Sequence, residues 1–109
     1  MNKIVNIALQ VLPTSKIVHP YNLVDKAIEV IAVWGLKYKV TPFETVIEGT
    51  YDEVMEVVKK AQQACYDAGA ESIMTYIKIQ SSKNEDVRIA DKMEKYEWDI
   101  KKSFGILFI

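Results

Sequence analysis

The chain has 109 residues, half of them hydrophobic and 27% charged, with a formal net charge of −1. That balance excludes a disordered chain. Near-neutrality, with Arg88 as the only arginine, argues against the basic, arginine-rich footprint that nucleic-acid binding requires. Cys65 and His19 each stand alone, which excludes an internal disulfide and a Cys/His zinc site within one chain.

A lone thiol fits a reducing compartment, so a cytoplasmic location is expected. No apolar run approaches membrane-spanning length. The N-terminal MNKIVNIALQVLP interleaves polar residues and lacks a small-residue cleavage site, so it reads as a strand rather than a signal peptide. One domain is expected over 1–109, with a core at about 3–80 and a C-terminal helix and apolar tail at about 84–109.

Residues 3–12 alternate, with Val5, Ile7, Leu9 and Val11 on one side and Asn6, Ala8 and Gln10 on the other. This is the pattern of a half-buried strand, ended by Pro13. After the TSKIVHPYN loop, Pro20 or Asn22 opens a helix in which Val24, Ala27, Ile28 and Ile31 recur at helical spacing. Gly35 is its stop, because glycine takes the left-handed conformation without strain.

Leu36, Tyr38 and Val40 alternate with Lys37, Lys39 and Thr41 in a second strand, and Pro42 marks a corner. Thr45–Glu48 is a third strand closed by Gly49. Thr50-x-x-Glu53 then forms a capping box, with Asp52 adding charge at the positive end of the helix dipole. That helix buries Val54, Val57, Val58, Ala61, Ala64, Cys65 and Ala68 and stops at Gly69. A fourth strand covers 72–80, with Ile73, Thr75, Ile77 and Ile79 opposite Met74, Tyr76, Lys78 and Gln80. A third helix begins after Ser82 or Asn84 and carries Ile89, Met93, Tyr96 and Ile100. The order is βαββαβ plus a C-terminal helix, an α+β ferredoxin-like sandwich with a four-stranded antiparallel sheet.

The segment WGLKYKVTPFETVIEG, with Gly35, Leu36, Lys37, Tyr38, Pro42, Thr45, Glu48 and Gly49, resembles the signature of the thiamine-binding protein family. These are small βαββαβ proteins, and the resemblance runs from about Lys3 to Gln80. It implies binding of thiamine or its hydroxymethylpyrimidine moiety, a small flat polar heterocycle. The vitamin would be a bound ligand rather than a catalytic cofactor. Many members read P–M–G–T at the corner, where this chain has Pro42-Phe43-Glu44-Thr45, placing an aromatic ring and a carboxylate at the pocket edge.

With Val5, Ile7, Leu9, Val11 and Val46 under the helices, the open sheet face is expected to present Asn6, Ala8, Gln10, Thr45 and Ile47. The same face would hold Met74, Tyr76, Lys78, Lys39 and Thr41. Such a mixed face suits a homodimer or homotetramer interface that leaves polar pockets. Thr45 is the first candidate ligand residue, since a hydroxyl both donates and accepts toward a ring nitrogen; as a β-favouring residue it equally suits a strand without a ligand. Phe43 and Trp34 are candidates for stacking on an aromatic or cationic ring, though core packing is the commoner role for a tryptophan at a helix end. Glu48 is expected to cap backbone amides rather than to balance a thiazolium charge.

Catalysis is not expected. VLPTSKIVHP lacks an arginine phosphate cradle, Cys65 lies on an apolar helix face, and Asp52/Glu53 and Glu85/Asp86 are helix starts. No metal site is expected. The absence of an arginine clamp favours the unphosphorylated vitamin over its diphosphate. The competing expectation is a structural or regulatory homo-oligomer that binds a partner protein through the open face.

The apolar tail SFGILFI is expected to dock on the protein or a neighbouring subunit, since an exposed greasy end promotes aggregation. Each of its large apolar side chains is worth roughly 1.5–3 kcal/mol when fully buried. Deleting Ser103–Ile109 should therefore lower the melting temperature or shift the mass in solution while the βαββαβ circular-dichroism signature persists. An unchanged melting temperature and mass would contradict docking.

Overall fold

The computed structural model describes residues 3–104, with side chains through residue 96. The elements follow the order β1 (Ile4–Thr14), α1 (Pro20–Trp34), β2 (Lys37–Val40), β3 (Thr45–Thr50), α2 (Tyr51–Asp67), β4 (Ser72–Gln80) and α3 (Ile89–Phe104). The strands form one antiparallel sheet in the order β2-β3-β1-β4, the ferredoxin-like arrangement. The apolar tail begins at the end of α3 and lies outside the described side chains, as does Ile100.

Both main helices pack on one sheet face. Val5, Ile7 and Leu9 from β1 meet Leu23, Ala27 and Ile31 from α1 and Val54, Val57, Ala61 and Cys65 from α2, all buried. Pro20 sits in the first turn of α1, where its missing N–H costs nothing. His19 caps that helix, its Nδ1 accepting from the Tyr21 N–H at 3.2 Å. Gly35 ends it at φ 92°, and Gly69 follows α2 at φ 117°, both in the left-handed region.

Four boundaries differ from the sequence reading. β1 runs through Pro13 to Thr14 instead of ending at the proline, which lies opposite Ile73 of β4 and falls beyond the end of β3. β3 continues through Gly49 to Thr50 instead of closing at Gly49. Gly49 is closely packed inside the strand: a Cβ there would lie 3.1 Å from Leu36 Cδ1 and 3.3 Å from Val54 Cγ1, so these side chains would have to give by a few tenths of an ångström. β2 is shorter than its alternation suggested, Lys37–Val40. α3 starts at Ile89 rather than near Asn84.

The late start of α3 follows from tertiary bonds. The Ile4 N–H donates to Asp86 Oδ1 at 2.9 Å, and the Val87 N–H donates to the Ile4 carbonyl at 2.9 Å. Asn6 Nδ2 donates to the Val87 carbonyl at 2.9 Å, while Glu48 Oε1 accepts the Ile89 N–H at 2.7 Å. The backbone of 86–89 is thus spent on β1 and β3, and helical bonding begins only beyond it. The Ile4 amide, with Arg88 and Lys3 nearby, holds the Asp86 carboxyl below its ordinary range. Glu48 therefore caps a backbone amide, as expected, though one 41 residues away in sequence.

The capping box of α2 is complete. Thr50 Oγ1 accepts the Glu53 N–H at 3.3 Å, and Glu53 Oε1 accepts the Thr50 N–H at 3.1 Å and its hydroxyl at 2.8 Å. The Thr50 hydroxyl, then its N–H, lowers the Glu53 pKa. Thr50→Ala should cost about 1 kcal/mol in urea denaturation with the fold retained; a loss below a few tenths would show that the box contributes little.

Candidate functional site

The antiparallel register decides which side chains share a face. Leu9 lies opposite Thr45, Ile7 opposite Ile47 and Val5 opposite Gly49, so Thr45 and Ile47 face the helices together with the core. Val46 lies opposite Ala8, and Glu48 opposite Asn6, on the open face. The expected facing of β3 is therefore reversed: Thr45 and Ile47 leave the open face, and Val46 joins it. Ile47 is fully buried in the core. The other strands follow the expected parity, with Asn6, Ala8, Gln10, Met74, Tyr76, Lys78 and Lys39 on the open face.

Thr45 gains a different setting through this reversal. β3 begins at Thr45, opposite Leu9, whereas β1 runs on to Thr14, so the β3-side edge of β1 is uncovered beyond Leu9. Ile4 spends its N–H and C=O on the 86–87 segment, on the β4 side, which fixes the phase of the ladder. Val5, Ile7 and Leu9 consequently bond toward β3, and Val11, next in phase, turns its N–H and C=O past the end of that strand. Among the described residues, a backbone donor and acceptor are thus left side by side without a strand partner.

A cleft of about 240 Å³ occupies this gap. Its floor is Leu9, Val11 and Thr45, one wall is Val24, Ile28 and Ile31 of α1, and the other is the Thr41–Glu44 corner. Thr45 is buried, and Phe43, 81% exposed, stands at the mouth with Tyr21. Gln10 borders the cleft from β1.

The corner is rigid. The Thr41 N–H and hydroxyl donate to the Glu44 carbonyl at 2.9 and 2.6 Å, and the Glu44 N–H returns a bond to the Thr41 hydroxyl at 3.1 Å. Pro42, which has no N–H to satisfy, fits between them.

The expected ligand residues thus divide. Thr45, Phe43 and Gln10 converge on the cleft. Asn6 and Ala8 lie on the open face beside Lys78, Gln80 and Lys92, lining a separate depression of about 210 Å³. Trp34 reaches neither. It is 41% exposed, so it is not a core residue, and it lines an open groove of about 570 Å³ between α1 and α2. That groove is larger than the cleft, but its walls are helices whose backbone groups are bonded internally, so only scattered side chains such as Glu29, Lys60 and Asp67 supply polarity. The cleft combines apolar walls with free backbone groups and a hydroxyl, the composition of a small-molecule site.

Sequence reading missed Val11, Tyr21, Val24, Ile28 and Thr41 as cleft residues. The one available signal was length: the alternation in 3–12 outruns the third strand, so part of its edge had to remain open. Among the described residues no cluster of His, Cys, Asp and Glu suits a metal ion, and no helix is long and apolar enough to cross a membrane. The Cys65 thiol is buried, which pushes its pKa up, and donates toward the Leu23 carbonyl at 3.3 Å.

Comparison with known proteins places the chain among its relatives. The profile of the thiamine-binding protein family matches residues 7–97. A UPF0045 protein of Clostridium perfringens is 40% identical over 91 residues, covering 84% of this chain and 95% of the relative. A Bacillus cereus domain of unknown function, DUF77, superposes with a TM-score of 0.84 at 45% identity, covering 86% of this chain and 90% of that one. A Thermotoga maritima protein provisionally assigned to thiamine biosynthesis or salvage superposes with a TM-score of 0.76 at 29% identity, covering 85% and 98%. The chain belongs to the thiamine-binding protein family.

Proposed function

We propose that this protein binds thiamine, or its hydroxymethylpyrimidine half, without catalysing its conversion, in the cleft between α1 and the Thr41–Thr45 corner. One observation carries the reading: β3 ends its pairing at Thr45, opposite Leu9, so the ladder phase directs the Val11 N–H and C=O past its end, into an apolar cleft that Val11 and Thr45 both line. A 4-aminopyrimidine presents an exocyclic amino donor next to a ring-nitrogen acceptor. That edge pairs with a peptide N–H and C=O as a neighbouring strand would, and the hydroxyl serves a further ring nitrogen. Val24, Ile28 and Ile31 offer the ring an apolar wall, and Phe43 and Tyr21 flank its entrance.

Binding rather than turnover accords with the chemistry on hand. The only thiol is buried against Leu23, away from the cleft. No arginine lines the cleft, and Arg88 is taken up by Asp86 at 3.2 Å, so a diphosphate would find no guanidinium there. The unphosphorylated vitamin is the better match.

Titration calorimetry tests the reading. Wild type should give saturable heat with thiamine and hydroxymethylpyrimidine. Thr45→Val, nearly isosteric and suited to a strand, should keep the fold and weaken both ligands by about 0.5–1.5 kcal/mol, roughly two- to tenfold in affinity. Lys59→Ala, on the exposed face of α2, is the control. Wild-type affinity in Thr45→Val would move the pocket elsewhere, and absence of heat in wild type would end the reading.

The open sheet face favours a second, compatible role. Leu12 and Met74 are paired across β1 and β4 and exposed, forming an apolar patch that both main helices leave uncovered. We propose homo-oligomerisation through this patch of the open face, as a dimer or a tetramer that leaves the neighbouring polar pockets open. Sedimentation at micromolar concentration should give at least twice the monomer mass; a single monomeric species would refute it.

A further inference from the structure

Resting on the reading of the cleft as a pyrimidine site, we infer that Glu44 makes this protein selective for the cationic two-ring vitamin over its neutral half. The cleft has a neighbour. On the open sheet face, Ala8, Gln10, Glu44, Tyr76, Ile77 and Lys78 line a second cavity of about 280 Å³. Gln10 and Glu44 line both cavities, so the two adjoin across the uncovered edge of β1. Thiamine has matching anatomy: a neutral aminopyrimidine joined by one methylene to a positively charged thiazolium.

Glu44 is placed to hold the charged half. Its N–H and C=O are both bonded to Thr41, so its Cα is fixed at the boundary between the cavities. Its carboxylate crosses the open face to Lys78, with Oε1 at 3.1 Å from Nζ. The two ends of this ion pair are unequal: the Glu44 side chain is 28% exposed and that of Lys78 is 75% exposed. A ligand cation that takes the place of Lys78 returns an ammonium already mostly in water, and exposed pairs of this kind contribute little. Tyr76, on the same wall, offers an aromatic face to a weakly hydrated cation. The pyrimidine half, lodged at Val11 and Thr45, lies on the other side of Gln10 and gains nothing from the carboxylate's charge.

The test compares two ligands across two variants by calorimetry. Glu44→Gln keeps size and hydrogen-bonding capacity and removes only the charge. Thiamine affinity should fall roughly tenfold, and hydroxymethylpyrimidine affinity should change less than about twofold. Lys78→Met frees the carboxylate and should act with opposite sign, tightening thiamine alone, so the inference stays testable even if Glu44→Gln folds poorly. Raised salt should weaken thiamine and spare the pyrimidine. If wild type binds both ligands and neither variant separates them, the role of Glu44 is overturned while the cleft stands. Pyrimidine binding without thiamine binding has the same consequence. If wild type binds neither, both the cleft reading and this inference fall.

Discussion

The whole arrangement depends on a mismatch in strand length. β1 runs to Thr14, but its partner β3 starts only at Thr45, opposite Leu9. Buried strand edges must find partners for their amides, and a sheet normally supplies them with another strand. Here the corner that would have to extend β3 is turned back by Thr41 and Glu44, which bond to each other. The gap is closed laterally by α1 and the corner, leaving a cleft with Val11 at its floor. In the proposed function, a flat heterocycle with paired donor and acceptor takes the place of the missing strand.

The opposite end of the sheet is closed by a different device. Asn6 and Glu48, paired across β1 and β3, reach the backbone of Val87 and Ile89 and tie the start of α3 to the sheet. Both side chains are buried, so their polar atoms are costly to leave unpaired. Glu48 is satisfied by the Ile89 amide and the nearby Arg88 guanidinium at 4.0 Å. Asn6 uses its amide nitrogen, while its Oδ1 finds no partner among the described residues. Bonded as it is to Val87, Asn6 serves chiefly to position the chain between β4 and α3. This accounts for a buried amide near the start of β1 without a ligand.

Glu44 joins the corner to the open face. Its N–H and C=O are both bonded to Thr41, which keeps the corner closed. Its side chain brings negative charge to the boundary of two cavities, where it meets Lys78 at 3.1 Å. A glycine there would supply the turn without the charge.

Much of this molecule follows from local chemistry. Alternation in 3–12 and 72–80, Pro20 and Gly35 around α1, and the Thr50/Glu53 box at α2 each fall where the backbone requires such residues, so element order and the ferredoxin-like class were legible in the chain. The candidate site was legible only in part. In TVIEG, Thr45, Ile47 and Gly49 alternate with Val46 and Glu48, and each set holds a β-branched apolar residue, so hydrophobicity alone does not say which faces the core. The decision lies in pairing: the Thr41–Glu44 turn sets the phase of β3 against β2, and Leu9 opposite Thr45 sets it against β1. A one-residue difference in phase exchanges the faces of an entire strand. The same holds for the Val11 amide and for the start of α3. Each is fixed by hydrogen bonds between residues far apart in the chain, which no local pattern encodes and only the assembled sheet brings together.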